Sequence, residues 1–243
     1  MVLAIETSTV ICAAALVENG RVLSEHSLNE PHVHSEKLLS LIDNVLISRD
    51  THRTPVDAIA ISIGPGSFTG LRIGLSVAKG LCYAWNIPIV PVPTLHALAW
   101  NCIIYNIGYN ADYVLPMLDA KRDELYAAMY LKREHDLEEV SPVRAISQGE
   151  CLGLVQHNHR TIIIGDAVEK FQMFAQQQSP GRTDIIAPPP EQRYCTAASV
   201  GILGERMLRE GNTAKLASLE PAYYKEFVTT LRVVDCTTTT LGE

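Results

Sequence analysis

The stretch that most restricts this chain is Gly64-Pro65-Gly66-Ser67-Phe68-Thr69-Gly70-Leu71-Arg72-Ile73-Gly74, which joins a β-branched run at 58–63 to a helix rich in small residues. Four glycines in eleven positions permit an approach that side chains would block, so the loop meets either an anion or another backbone. The helix that follows favours the second. Its small residues fall on two stripes, Gly70-Gly74-Ala78 and Ser76-Gly80-Ala84, each spaced by four and so each on one helical face. An interior glycine costs a helix about 1 kcal/mol relative to alanine, and the cost is offset where a thin face lets a neighbouring helix pack closely.

Around this elbow the hydrophobic periodicity sets out an ordered series of elements. Runs at 2–6 and 10–17 are β-rich and flank the hydroxyl-rich Thr7-Ser8-Thr9, and Asn19-Gly20 is a hairpin signal before a third strand at 21–27. From Ser35 the apolar positions Leu38, Leu39, Leu41, Ile42, Val45 and Leu46 recur with helical spacing. A strand to 63, a helix to 85, a strand at 87–92 and a helix at 94–104 capped by Thr94 follow. The order β-β-β-α-β-α-β-α predicts a ribonuclease H-like fold, a meander continued into parallel strands with covering helices.

After Gly108 the pattern restarts: a strand at 113–118, a turn at Asp119-Ala120-Lys121-Arg122, a strand at 124–131, a helix near 147–155, a strand at 161–164 and a helix at 167–178. Two such units in tandem, the second eroded, predict a duplicated α/β architecture of two lobes with a cleft between them. The first lobe covers 1–105, with the helix at 196–211 returning to it; the second covers 106–195 and 212–230, and 231–243 is a flexible tail.

Charge narrows the function. A formal net charge of −7 with no basic run argues against a large nucleic-acid footprint, so any RNA is held mainly by something else. The six cysteines, at 12, 82, 102, 151, 195 and 236, form no CxxC pair and read as reduced thiols of a cytoplasmic protein. The N-terminus carries no basic leader, and the longest apolar run, 95–104, is broken by His96 and Asn101, so no membrane span is expected.

Catalytic sets are hard to assemble. A nuclease on this fold needs several carboxylates around a metal pair; Glu6 and Glu36 could be two, but Gly-Pro-Gly stands where a third would follow the strand. His32, His34 and Glu36, with His96 as a further member, could chelate only if the segment is not helical, and capping is the simpler role. The elbow matches neither phosphate-binding glycine signature, which leaves Thr7, Ser8 and Thr9 as the nucleotide candidates through their hydroxyls and amides. Ser67 has no evident base, and Asp119, Lys121, Arg122 and Asp123 read as a solvated turn.

Leu3-Ala4-Ile5-Glu6-Thr7-Ser8-Thr9, His34-Ser35-Glu36-Lys37-Leu38-Leu39, the elbow with Leu75 to Leu81, and Asp119-Ala120-Lys121-Arg122-Asp123-Glu124-Leu125-Tyr126 together closely resemble the TsaB (YeaZ) family, over 2–225. Glu6, where aspartate is common, Ser40, where proline often stands, and Tyr224-Lys225, where Leu-Arg is usual, depart from its pattern. The resemblance implies an actin-like, sugar-kinase-like fold and a non-catalytic subunit in the making of threonylcarbamoyladenosine beside the anticodon of tRNAs that read ANN codons. It implies no catalytic residue, metal or cofactor of its own; ATP and a divalent metal belong to partner subunits. The partners implied are the paralogue TsaD, as a heterodimer, and the ATPase TsaE, with tRNA met only through the complex and a homodimer formed in isolation. Docking on TsaD is expected to centre on Leu38, Leu41, Ile42, Val45, Gly70, Gly74, Ala78 and Leu81. The alternative is a stand-alone ATP-binding phosphotransferase or ATPase of the actin-like superfamily, working in the interlobe cleft.

Overall fold

Each half of the molecule is built on an antiparallel meander that continues into parallel strands. The computed structural model describes residues 1–47, 55–108 and 110–225. In the first half β1 (Val2–Glu6), β2 (Ile11–Glu18), β3 (Arg21–Asn29), β4 (Ala58–Ser62) and β5 (Ile89–Val92) form a sheet of order β3-β2-β1-β4-β5. In the second, β6 (Tyr113–Asp119), β7 (Glu124–Lys132), β8 (Leu137–Ser147), β9 (Thr161–Ile164) and β10 (Ile185–Ile186) form one of order β10-β9-β6-β7-β8. The repeated order is that of a duplicated ribonuclease H-like fold.

Alternation along the strands sorts the helices into layers. Leu3, Ile5, Cys12, Ala14, Leu16, Ile59 and Ile61 point to one face of the first sheet, where they bury α1 (His34–Ile47) and α2 (Phe68–Trp85). Their neighbours Val2, Ala4, Ala13, Ala15, Ala58 and Ala60 point to the other face and meet α3 (Thr94–Ile104) and α6 (Ala197–Arg209). The alanines keep that face thin enough for α6 to lie directly on it; a side chain at Gly204 would meet Ala60 Cβ at 2.3 Å. Val114, Leu118, Ala128, Tyr130, Ile162 and Ile164 complete the same core from the second sheet, so α3 and α6 are sandwiched between the two sheets. The second sheet's outer face carries α4 (Gln148–Leu154) and α5 (Val168–Gln178), with Phe171 fully buried.

The structure corrects the sequence reading in several places. β8 was not predicted: it is an edge strand carrying Glu138, Glu139, Ser141 and Arg144, with Pro142 inside the register shift between the Ala127–Arg144 and Met129–Ser141 pairs, where proline is tolerated. Only at Ser147 does a helix begin, closed by a reciprocal cap with Glu150. Thr94 is the first residue of α3 and does not cap it; its Oγ1 accepts the Gly64 amide at 3.0 Å, and the Thr94 amide donates to the Gly64 carbonyl at 2.9 Å. Of the 212–230 segment assigned to the second lobe, 214–222 runs along the first lobe, while Lys225 reaches the β6–β7 turn of the second, donating to Ala120 O. Ala214 bridges to Ile89, Leu216 and Leu219 pack on the first lobe, and the Ala222 amide donates to Ile63 O at 2.7 Å, because apolar residues here cover the open side of β5 and β4. Cys12, Cys82, Cys102, Cys151 and Cys195 are buried free thiols. The tail at 231–243, with Cys236, lies outside the described residues.

Candidate functional site

α1 and α2 lie side by side on the outer face of the first sheet, and each has an inner and an outer face of different character. Leu38, Leu41, Ile42 and Val45 of α1 are all buried against Leu3, Ile5 and Leu16. On α2, Gly70, Gly74 and Ala78 are buried as well, and Leu81 is half-buried on the same core. These residues therefore do not form an exposed docking face. A side chain at Gly70 would come within 2.1 Å of the Thr7 carbonyl oxygen, and one at Gly74 within 2.1 Å of Thr7 Oγ1 and 3.1 Å of Ile61 Cδ1. The reason is geometric: a thin helical stripe serves a helix laid on its own sheet as well as it serves a helix laid on a partner.

What faces outward is the rest of each helix. The stripe Ser76, Gly80 and Ala84 is exposed, and a side chain at Gly80 would meet nothing within 4 Å. On the exposed sides of the two helices Leu39 of α1 is 57%, Ile47 of α1 80% and Tyr83 of α2 84% exposed, while Ile73 and Val77 are half-buried. The second stripe was visible in the spacing; the apolar residues beside it were not singled out, because Leu39 and Tyr83 adjoin the buried Leu38 and Cys82 in sequence.

The elbow binds α2 to the β1–β2 turn. Ser67 caps α2 by accepting the Gly70 amide at 3.2 Å, and the Ser67 amide donates to Ser8 O at 2.7 Å. Beneath this contact the Glu6 side chain is fully buried, and burial pushes its pKa up to about 7 against the opposing hydrogen bonds from Ser8. The amide and hydroxyl of Ser8 both donate to Glu6 Oε1 at 2.5 Å. Thr9 Oγ1 accepts the Ile11 amide at 3.3 Å, and Thr7 Oγ1 is enclosed without a partner. Ser8 thus spends both its amide and its hydroxyl on Glu6, while Ser8 and Thr9 also line the cleft.

The histidines separate. His34 is buried and donates from Nε2 to the Ile11 carbonyl at 3.2 Å, tying α1 to β2, whereas His32 is exposed with a left-handed φ of 64°. His96 stacks on Tyr130 at 5.1 Å between α3 and the second sheet. Among the described residues no three His, Cys, Asp or Glu side chains converge to hold a metal ion.

Across the cleft, a cavity of about 790 Å3 is lined by Ser8, Thr9, His34 and Gly66 on one side and Asp119, Lys121, Tyr126 and Asp166 on the other. Asp119, Lys121 and Arg122 form more than a solvated turn. The Asp119 amide donates to Asp166 Oδ1 at 2.8 Å, and Lys170 Nζ reaches Asp119 Oδ1 at 2.9 Å. Partial burial acts to raise the Asp119 pKa, but the Lys170 hydrogen bond and charge prevail and hold it below the usual range. Asp166 is shifted up by burial. Lys121 and Arg122 both adopt left-handed backbone, with φ of 67° and 54°. No helix among the described residues is long and apolar enough to cross a membrane.

Comparison with known proteins places this architecture. Residues 22–172 match the family model described as TsaD, tRNA N6-adenosine threonylcarbamoyltransferase. The tRNA threonylcarbamoyladenosine biosynthesis protein TsaB of Escherichia coli is 28% identical over 231 residues, covering 93% of this chain and 95% of that protein. A tRNA N6-adenosine threonylcarbamoyltransferase of Staphylococcus carnosus is 29% identical over 62% of this chain and 48% of its own length. YeaZ from Pseudomonas aeruginosa superposes with a TM-score of 0.76 at 25% identity, covering 91% of this chain and 98% of that one. The chain belongs to the TsaD family that the model describes, and within it to the TsaB (YeaZ) proteins.

Proposed function

We propose that this chain is a non-catalytic activating subunit in the formation of threonylcarbamoyladenosine on tRNA, and that it works by docking a transferase of the TsaD kind. The role in that modification is supported by the names of its full-length relatives and by its family. The observation that carries the docking is the exposed side of α1 and α2, on which Leu39, Ile47 and Tyr83 stand in solvent and the stripe Ser76-Gly80-Ala84 lies open. Exposed apolar groups on two adjacent helices, with a glycine open to solvent on one of them, suit a helix pair from another subunit. Since the partner shares this fold, its equivalent helices would meet these in a pseudo-symmetric pair.

Docking biases the partner toward its working arrangement, and the seam it creates is where TsaE would bind. ATP and a divalent metal act on those subunits. In isolation the same face would pair with a second copy of the chain.

Gly80→Arg tests the reading, because the substitution points into open space and leaves the core untouched. The variant is expected to melt no lower than the parent, to lose co-purification with the TsaD-type partner, and to fail to restore tRNA modification in a reconstituted mixture. Undiminished co-purification and modification would overturn the docking face.

A further inference from the structure

The chain after α6 crosses from one lobe to the other, and the two ends of the crossing are fastened by different forces. Its first part lies on the first lobe. Ala214 bridges to Ile89 of β5, Leu216 and Leu219 pack against the core that α1 and α2 cover, and the Ala222 amide donates to Ile63 O at 2.7 Å. At Ala222 the backbone also lies against the start of the elbow, where a side chain at Gly64 would come within 2.6 Å of the Ala222 carbonyl oxygen. Apolar burial and backbone pairing hold this end, and neither depends on charge that salt can screen.

Three residues later the chain has reached the second lobe. Lys225 Nζ donates to Ala120 O at 2.5 Å, lies 2.5 Å from Glu124 Oε2 and stands 5.8 Å from the centroid of the Tyr126 ring, so three groups of the β6–β7 hairpin meet one ammonium. Tyr224 turns the same way: burial, and after it the charge of Glu139 on β8, raise its pKa. The turn that receives Lys225 belongs firmly to its own lobe. Lys170 of α5 donates to Asp119 Oδ1 at 2.9 Å and to the Glu124 carbonyl at 3.3 Å, so the turn moves with the second lobe as a unit.

The crossing spans the mouth of the interlobe cleft, where Pro65 and Gly66 of the elbow, Ala120 and Glu124 of the turn, and Ala222 and Lys225 line one cavity. Elsewhere the lobes share the apolar core around α3 and α6. The Arg206–Asp136 ion pair also joins them, but it stands on α6, within that shared region. The Lys225 and Glu124 side chains are 28% and 45% exposed, so theirs is the kind of pair that water and counterions can replace. Two bodies joined by an apolar core at one place and by such a pair at another pivot about the first when the second lets go.

We infer that 222–225 is a releasable latch across the cleft mouth. With Lys225 seated on Ala120 O and Glu124, the β6–β7 turn is drawn toward the elbow; with Lys225 free, the second lobe swings away about α3 and α6 and the cleft widens.

The test is the distance between two nitroxide labels on the full chain, read by pulsed electron paramagnetic resonance. Ser40→Cys on α1 and Met173→Cys on α5 place the labels at exposed positions of the two lobes. Cys236→Ser removes the thiol outside the described residues, and the other five thiols are buried. Lys225→Ala should lengthen the distance by several ångströms and broaden it, and molar salt should move the parent toward that variant while leaving the variant where it is. Lys225 belongs to no core, so its loss leaves the fold intact. Glu124→Gln removes only the charge beneath the ammonium; it should widen the cleft less, since Ala120 O still accepts from Lys225, and should abolish the response to salt. Equal distances in the parent and Lys225→Ala, or a salt response that survives both substitutions, would overturn the latch.

Discussion

Along α2, Gly70, Gly74 and Ala78 face the sheet, while Ser76, Gly80 and Ala84, a fraction of a turn away, face solvent. In composition the two stripes are near copies. They differ in what opposes them: the inner stripe meets the Thr7 backbone, the Thr7 hydroxyl and Ile61, whereas a Cβ at Gly80 in the outer one meets nothing within 4 Å among the described residues. A helix glycine therefore has no single meaning. On one face it lets the helix seat on its own lobe over the β1–β2 turn, and on the other it leaves open space beside the helix.

The largest effect should come from breaking the inner stripe. In Gly70→Ala the new methyl would sit 2.1 Å from the Thr7 carbonyl oxygen, a backbone atom that no side-chain rotation can move away. The start of α2 has to lift from the turn, at an expected loss of about 3 kcal/mol or more in urea unfolding. If Gly70→Ala and Gly80→Ala shift the urea midpoint equally, the two stripes are equivalent and the comparison fails.

Next in size is the carboxyl beneath the inner stripe. Folding raises the Glu6 pKa from 4.5 to about 7, burial being the cause. Between those values the folded chain holds a proton that the unfolded chain has released, so stability falls as pH rises. The contribution is fully present below pH 4.5 and is lost as pH climbs through about 7. A shift of that size corresponds to roughly 3 kcal/mol. Glu6→Gln keeps an acceptor for the Ser8 amide and hydroxyl and removes the titration. Urea midpoints of the parent should decline from pH 5 to pH 8 more steeply than those of the variant, and parallel curves would show that Glu6 is ionised throughout. Burial also raises Glu25 and Asp166, so only the difference between the two curves reports on Glu6.

The sequence carried the first lobe well because its signals are local. The hairpin at Asn19-Gly20 and the apolar spacing of α1 each fix an element by themselves. β8 escaped because an edge strand with one solvated side carries little hydrophobic alternation, and Thr94 was misjudged because its hydroxyl is claimed by Gly64, thirty residues away. Which stripe of α2 faces out depends on where the sheet lies, and helical periodicity is silent on that. The cleft lining was harder still: Ser8, Gly66, Lys121 and Asp166 come from distant segments, and nothing in the spacing joins them. Burial of Glu6 was likewise hidden, since an acid ending a strand beside a hydroxyl-rich turn reads equally as a ligand.

The smallest effect is the sharpest test of the outer stripe. At Gly80 an added methyl meets nothing within 4 Å, so the only change inside the chain is helix propensity. Alanine in place of glycine at an exposed interior position should raise stability by about 0.5–1 kcal/mol, the opposite sign to Gly70→Ala. A chain that keeps a destabilising glycine on a solvent face gains nothing from it alone. On the docking role proposed above, the gain appears when another helix comes down on the notch, where the same methyl would hold the two backbones apart. Gly80→Ala should therefore melt higher as an isolated chain, yet bind the TsaD-type partner less tightly in a calorimetric titration. Equal or tighter binding by the variant would mean that the notch is not the contact, and that Leu39, Ile47 and Tyr83 dock without it.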